Sequence, residues 1–86
     1  MYFIYILQSE KDQGFYIGQT NNLTKRLSRH NTGQVKSTRN RVPLKIVISE
    51  KYETRSDAMR REKYLKSLKS GREFKKILTH WGVAKW

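Results

Sequence analysis

FYIGQTNNLTKRLSRHNTG, Phe15 to Gly33, decides how the rest of the chain is read. FYIG is short, aromatic and β-branched, which suits a strand. Asn21 and Asn22 follow it, and either can cap a helix, because a side-chain oxygen there accepts an orphan backbone N–H. Leu23, Leu27 and His30 share one face of that helix, and Gly33 is placed to stop it. Arg26 and His30 lie four apart, so they are neighbours on the helix surface beside the two leucines. An ordinary amphipathic helix keeps such residues in water; here they border the apolar stripe.

Upstream, YFIYILQS, Tyr2 to Ser9, has strand composition, and EKDQG reads as the turn joining it to FYIG in a hairpin. Downstream, QVKSTRNRVP, Gln34 to Pro43, is a polar basic loop, and LKIVISEKYE, Leu44 to Glu53, is a third strand. Ser56 or Asp57 is placed to cap a second helix with Ala58, Met59, Leu65 and Leu68 as apolar positions. Gly71 interrupts it, and EFKKILTHWG gives a third, short helix. The order β-β-α-β-α-α predicts an α+β fold, a three-stranded antiparallel sheet flanked by helices. The 86 residues leave room for one core, so residues 1–86 form a single domain. In HWGVAKW, Trp81 is expected in the core, while Trp86 either caps the core or awaits a partner or a base to stack on.

Nineteen Lys plus Arg against seven Asp plus Glu give a formal net charge of +12, which predicts a polyanionic partner. The bias is uneven: between Gln13 and Ser49 there is no acidic residue, while Lys25, Arg26, Arg29, Lys36, Arg39, Arg41 and Lys45 all fall there. Zero cysteines exclude disulfides, Cys-based zinc sites and thiol nucleophiles. No apolar run approaches the roughly 20 residues of a membrane span. The start lacks the basic flank of a signal peptide, so a cytoplasmic protein with no membrane partner is expected.

Glu62 is the most informative single residue. It follows Ala58 by four and Met59 by three, and precedes Leu65 by three, so helical geometry puts it on the apolar stripe. A buried carboxylate needs a cation or water. One reading is a ligand for Mg2+ (or Mn2+), which takes oxygen donors, often one or two protein carboxylates plus waters and phosphate. The other is a boundary glutamate paired with Lys66 one turn on. Arg26 and His30 divide the same way, between a phosphate clamp with a proton-shuttling imidazole and the solvated edge of a basic helix. Tyr5 and Tyr16 are either core residues with wet hydroxyls or phenols set to relay a proton.

FIY at Phe3 to Tyr5 and YIG at Tyr16 to Gly18, ten residues apart, together with the Leu23–His30 helix and the glutamate of RREKYLKSLKSG, resemble the GIY-YIG nuclease superfamily. The resemblance spans nearly the whole chain and is to a small standalone member, related to the N-terminal nuclease domain of the UvrC excinuclease subunit. It implies metal-assisted hydrolysis of phosphodiesters in DNA, on branched or damaged structures. It also implies roles: Tyr5 and Tyr16 as the motif tyrosines, one serving the general base; Arg26 steadying the scissile phosphate; Glu62 as sole carboxylate ligand to Mg2+ (or Mn2+). His30 becomes a phosphate contact or proton relay, and Gly18 leaves the backbone open beside the substrate. In this scheme Lys25, Lys36, Arg39, Arg41 and Lys45 hold the nucleic-acid backbone, in DNA or RNA, and the chain acts as a monomer or weak dimer. The alternative is a nucleic-acid-binding module of the same fold that cuts little. Three positions depart from the family pattern: Phe3 replaces the motif glycine, Gln19 stands where some relatives have lysine, and SLKSGREF holds no late asparagine.

Overall fold

A computed structural model describes residues 1–68 and 71–82, so Ser70 and Trp86 lie outside it. The elements are β1 (Tyr2–Ser9), β2 (Phe15–Thr20), α1 (Leu23–Asn31), β3 (Leu44–Tyr52), α2 (Arg55–Leu68) and α3 (Arg72–His80). The three strands form one antiparallel sheet in the order β2-β1-β3, so β1 is central and β2 is an edge. The α+β, β-β-α-β-α-α architecture is the one expected.

Both faces of the sheet are covered, which explains why β1 carries a continuous apolar run instead of a strict alternation. On one face Ile4, Ile6, Phe15, Ile17 and Ile48 pack with Ala58 and Leu65 of α2 and with Phe74 and Leu78 of α3. On the other, Tyr5, Leu7 and Leu44 pack with Tyr16, Ile46 and the α1 leucines Leu23 and Leu27. Ile46 and Ile48 are two apart yet enter opposite cores. The register between β1 and β3 shifts between Ile6 and Leu7, and such an irregularity re-aims side chains.

Local chemistry fixes the element ends. Asn22 accepts the Lys25 N–H at 3.0 Å and caps α1. Gly33, just past α1, has φ +77°, a conformation glycine adopts without strain. Asn31 then clamps α1 to β3: its side chain donates to Leu44 O at 2.9 Å and accepts the Leu44 N–H at 2.7 Å.

Three expectations are corrected. The α2 cap is Thr54, whose hydroxyl accepts the Asp57 N–H, so the helix begins at Arg55, ahead of Ser56. Met59 is 51% exposed, because α2 meets the sheet along a narrow stripe through Ala58 and Leu65. Trp81 is 46% exposed and caps the end of α3 by its backbone instead of filling the core.

Candidate functional site

Tyr5 crosses the sheet on the α1 side. It stands opposite Gly18 in the β1–β2 ladder, and its ring lies so close over that residue that any Cβ there would strike the hydroxyl. Gly18 therefore lets the phenol reach across the backbone of β2 toward the open edge. Tyr5 stacks with Tyr16 at 6.4 Å, and His30 meets both rings edge-on, at 5.9 Å and 5.0 Å.

His30 is completely buried, which removes it from the solvated helix edge. Its Nε2 lies 3.1 Å from Tyr5 Oη and its Nδ1 2.7 Å from the hydroxyl of Thr38, in the loop between α1 and β3. Both ring nitrogens are thus occupied inside the protein, one of them by Tyr5. Burial holds its pKa below the ordinary 6.5, and the charges of Arg26 and Arg29 push the same way. The Tyr5 hydroxyl is pushed up to about 12, first by burial, then by Tyr16 and Glu62; Arg26, which faces the same phenol, opposes the rise.

Glu62 arrives from the other face. Gln19, at the end of β2, donates from Nε2 to Glu62 Oε1 at 3.1 Å, and Lys66 Nζ lies 3.0 Å from Oε2. The Glu62 side chain is 19% exposed. So the phenols and the carboxylate stand on opposite sides of the sheet and approach each other around its β2 edge, rather than sharing one enclosed pocket. Glu62 opens onto a groove of about 690 Å³ on α2, with Met59, Arg60, Lys63 and Lys66.

Arg26 lines a second cavity of about 240 Å³, at the end of β2, with Tyr2, Gln19, Thr20, Asn21 and Arg55. Gln19 is the hinge between the two halves, lining this cavity while it holds Glu62. Neither Arg26 nor Arg55 has a carboxylate partner among the described residues. Sequence reasoning missed Arg55. Its only sequence signal is a basic residue at the head of a helix, and the cavity exists because β1, β2, α1 and α2 meet there.

Of the basic residues expected on nucleic acid, Lys25, Lys36, Arg39 and Lys45 are exposed. Lys25 borders a shallow cleft with Arg29 on the outside of α1. Arg41 is different: its guanidinium is committed to Asp12 at 3.0 Å, tying the α1–β3 loop to the hairpin turn. Among the described residues no helix is long and apolar enough to cross a membrane.

Comparison with known proteins matches residues 1–76 to the family model described as the GIY-YIG catalytic domain. A UPF0213 protein of Clostridium perfringens is 46% identical over 69 residues, 79% of this chain and 73% of that one. Another, from Limosilactobacillus reuteri, is 41% identical over 85 residues, covering 95% and 86%. The solution NMR structure of the UPF0213 protein BH0048 from Bacillus halodurans superimposes with a TM-score of 0.56 at 32% identity, over 93% of this chain and 84% of that one. With the motif pair on adjacent strands, the buried Tyr5–His30 contact and these matches in hand, the chain belongs to the GIY-YIG domain family and is similar throughout to its UPF0213 members.

Proposed function

We propose that this chain is a nucleic-acid-binding domain that seats a phosphodiester of the sugar-phosphate backbone at the β2 edge, between Arg26 and Arg55. The observation that carries this reading is the cavity of about 240 Å³ lined by Arg26 and Arg55 from different helices, neither of them paired with a carboxylate among the described residues. Like charges held together in one small cleft favour an anion between them, and a guanidinium fork matches phosphate oxygens. Tyr2, Gln19, Thr20 and Asn21 add hydrogen-bonding groups around the same space. The exposed Lys25, Lys36, Arg39 and Lys45 extend the positive field, so contact is to backbone rather than base.

A second reading, cleavage of DNA, is favoured by the way Tyr5, Tyr16, Arg26, His30 and Glu62 gather about the edge. Its Mg2+ (or Mn2+) would be held by Glu62 with Gln19 beside it. The described residues contain no group of three His, Cys, Asp or Glu, but a hard divalent ion is satisfied by one carboxylate, waters and phosphate oxygens. Both Glu62 oxygens are engaged by Gln19 and Lys66, and Lys66, 55% exposed, has room to swing aside. The residues therefore fit such an ion. When bound, it supplies Lewis acidity at a phosphate oxygen. Arg26 then opposes the charge that builds on the phosphate, and Tyr5, fixed by His30, holds a proton at Oη beside it. A part in DNA repair and kinship with the UvrC nuclease domain belong to this second reading.

Labelled single-stranded, duplex and branched DNA, and RNA, separate the two. Salt-sensitive binding that is indifferent to Mg2+ and to Glu62→Ala, but weakened by Arg26→Ala and Arg55→Ala, supports the binding domain alone. Mg2+-dependent cuts abolished by both Glu62→Ala and Arg26→Ala support the nuclease.

A further inference from the structure

Arg55, Met59, Lys63 and Lys66 recur at helical spacing along α2, so they lie within about a quarter of its circumference. All four are exposed, while Ala58 and Leu65 on the sheet side are buried. The helix has two carboxylates, and each already has a cation: Asp57 holds Arg60 at 2.9 Å and Glu62 holds Lys66 at 3.0 Å. Arg55 and Lys63 have no carboxylate partner among the described residues. The stripe starts at the β2 edge, because Arg55 lines the cavity of about 240 Å³ there. It continues into the groove of about 690 Å³ lined by Met59, Lys63 and Lys66. Gln19 of the cavity and Glu62 of the groove are joined by a hydrogen bond of 3.1 Å, so the two spaces adjoin.

From Arg55 to Lys66 the helix rises about 16 Å, at about 1.5 Å per residue. A stacked strand passes roughly five phosphates over that length, at roughly 3.4 Å each. Cations spaced along one line match such a backbone better than they match a protein. Met59 is the one large apolar side chain exposed in the groove among the described residues, too little for the apolar centre of a protein interface. A second copy of the chain is repelled by the net charge of +12. The Glu62–Lys66 pair is an i,i+4 contact with its lysine 55% exposed, the kind that holds weakly and yields to a competing charge. Glu62 is only 19% exposed and keeps its bond to Gln19 when Lys66 leaves. We infer that a nucleic-acid strand seated at Arg26 and Arg55 runs on along the outer face of α2, with its phosphates on Lys63 and Lys66, and draws Lys66 off Glu62 as it binds. Glu62 Oε2 is then bared only when a backbone lies beside it. This track rests on the reading of the β2 edge as a phosphate seat.

Lysine side-chain resonances of labelled protein, followed with and without a short DNA strand, test the exchange. In the free chain Glu62→Gln should move the Lys66 signal, since its partner is lost. In the complex the same substitution should leave that signal unmoved, because a phosphate has replaced the carboxylate. A Lys66 signal that still follows Glu62 in the complex overturns the inference. Lys63→Ala and Lys66→Ala, both at exposed positions, should each weaken binding several-fold and lower the slope of log affinity against log salt by about 1. Lys76→Ala, in an exposed pair on α3, controls for the loss of a charge. If Arg26→Ala and Arg55→Ala weaken binding while the two lysine variants do not, the seat stands and the track along α2 falls. If the lysine variants weaken binding while the arginine variants do not, the seat fails and the track loses its start. Poly-glutamate that shifts Met59 and Lys63 where DNA does not would assign the groove to an acidic protein and overturn the track.

Discussion

Gly18 and Tyr5 face each other across the β1–β2 ladder, and the phenol occupies the space that a side chain at position 18 would need. Gly18→Ala should therefore push the Tyr5 ring off His30 or bend the edge strand. Forcing an extra carbon into a packed core costs about 1–3 kcal/mol. Urea denaturation measures that loss, and a variant as stable as the unaltered protein would show that the ring moves freely.

Arg26 and Arg55 each contribute one cation to the same cavity. Each alanine variant should weaken DNA binding across sequences and lower the slope of log affinity against log salt by about 1. Lys76, which is turned to Glu73 on α3, provides the control whose loss should change the slope little. Binding isotherms at several salt concentrations check this.

Glu62 separates binding from cutting. Glu62→Gln removes a negative charge beside the Arg26 cavity and releases Lys66, so affinity for DNA should hold or rise slightly. Any Mg2+-dependent cleavage should vanish in the same variant. Parallel binding and cleavage assays read the two effects.

The Glu50–Arg61 pair lies in the half-buried angle between β3 and α2, bidentate at 2.9 and 3.0 Å, with Tyr52 donating to the same carboxylate. Breaking it by Glu50→Gln should cost about 1–3 kcal/mol, since charged hydrogen bonds shielded from water are the strong ones. Glu73→Gln, in an exposed pair, should stay within about 0.5 kcal/mol. Thermal or chemical denaturation compares them.

His30 gives the fold an acid-sensitive part. Burial, with help from Arg26 and Arg29, keeps its folded pKa below the 6.5 of the open chain. Between those two values the unfolded state binds more protons, so stability rises with pH there. The contribution is full above about pH 6.5 and is lost as pH falls toward the folded value. Stability measured at about pH 7.5 and about pH 5 should differ less in a folded His30→Asn variant than in the unaltered protein.

Much of this fold was legible because its signals are local. The asparagine cap, the glycine stop and the aromatic strands each depend on a few neighbouring residues. The arginine-histidine pair beside Leu23 and Leu27 left open whether the histidine faced water, and the fold buries it. What the sequence hid is set by distant meetings. Thr38 lies in a stretch that reads as solvated loop, and only the fold closes it over His30. Arg41 looks like a phosphate contact until the turn 29 residues earlier brings Asp12 to it. Met59 fits the helical period, but periodicity does not tell how wide a stripe the sheet will cover. The division of the site between two faces was likewise invisible, because helical and strand phases give the face of each residue only within its own element.

Titration of labelled protein with a short DNA strand, followed by amide and arginine side-chain resonances, tests the β2-edge seat most directly. The account expects the largest shifts at Gln19, Thr20, Asn21, Arg26 and Arg55, diminishing as salt is raised. Shifts confined to α3, or none at these five residues at saturation, would contradict it.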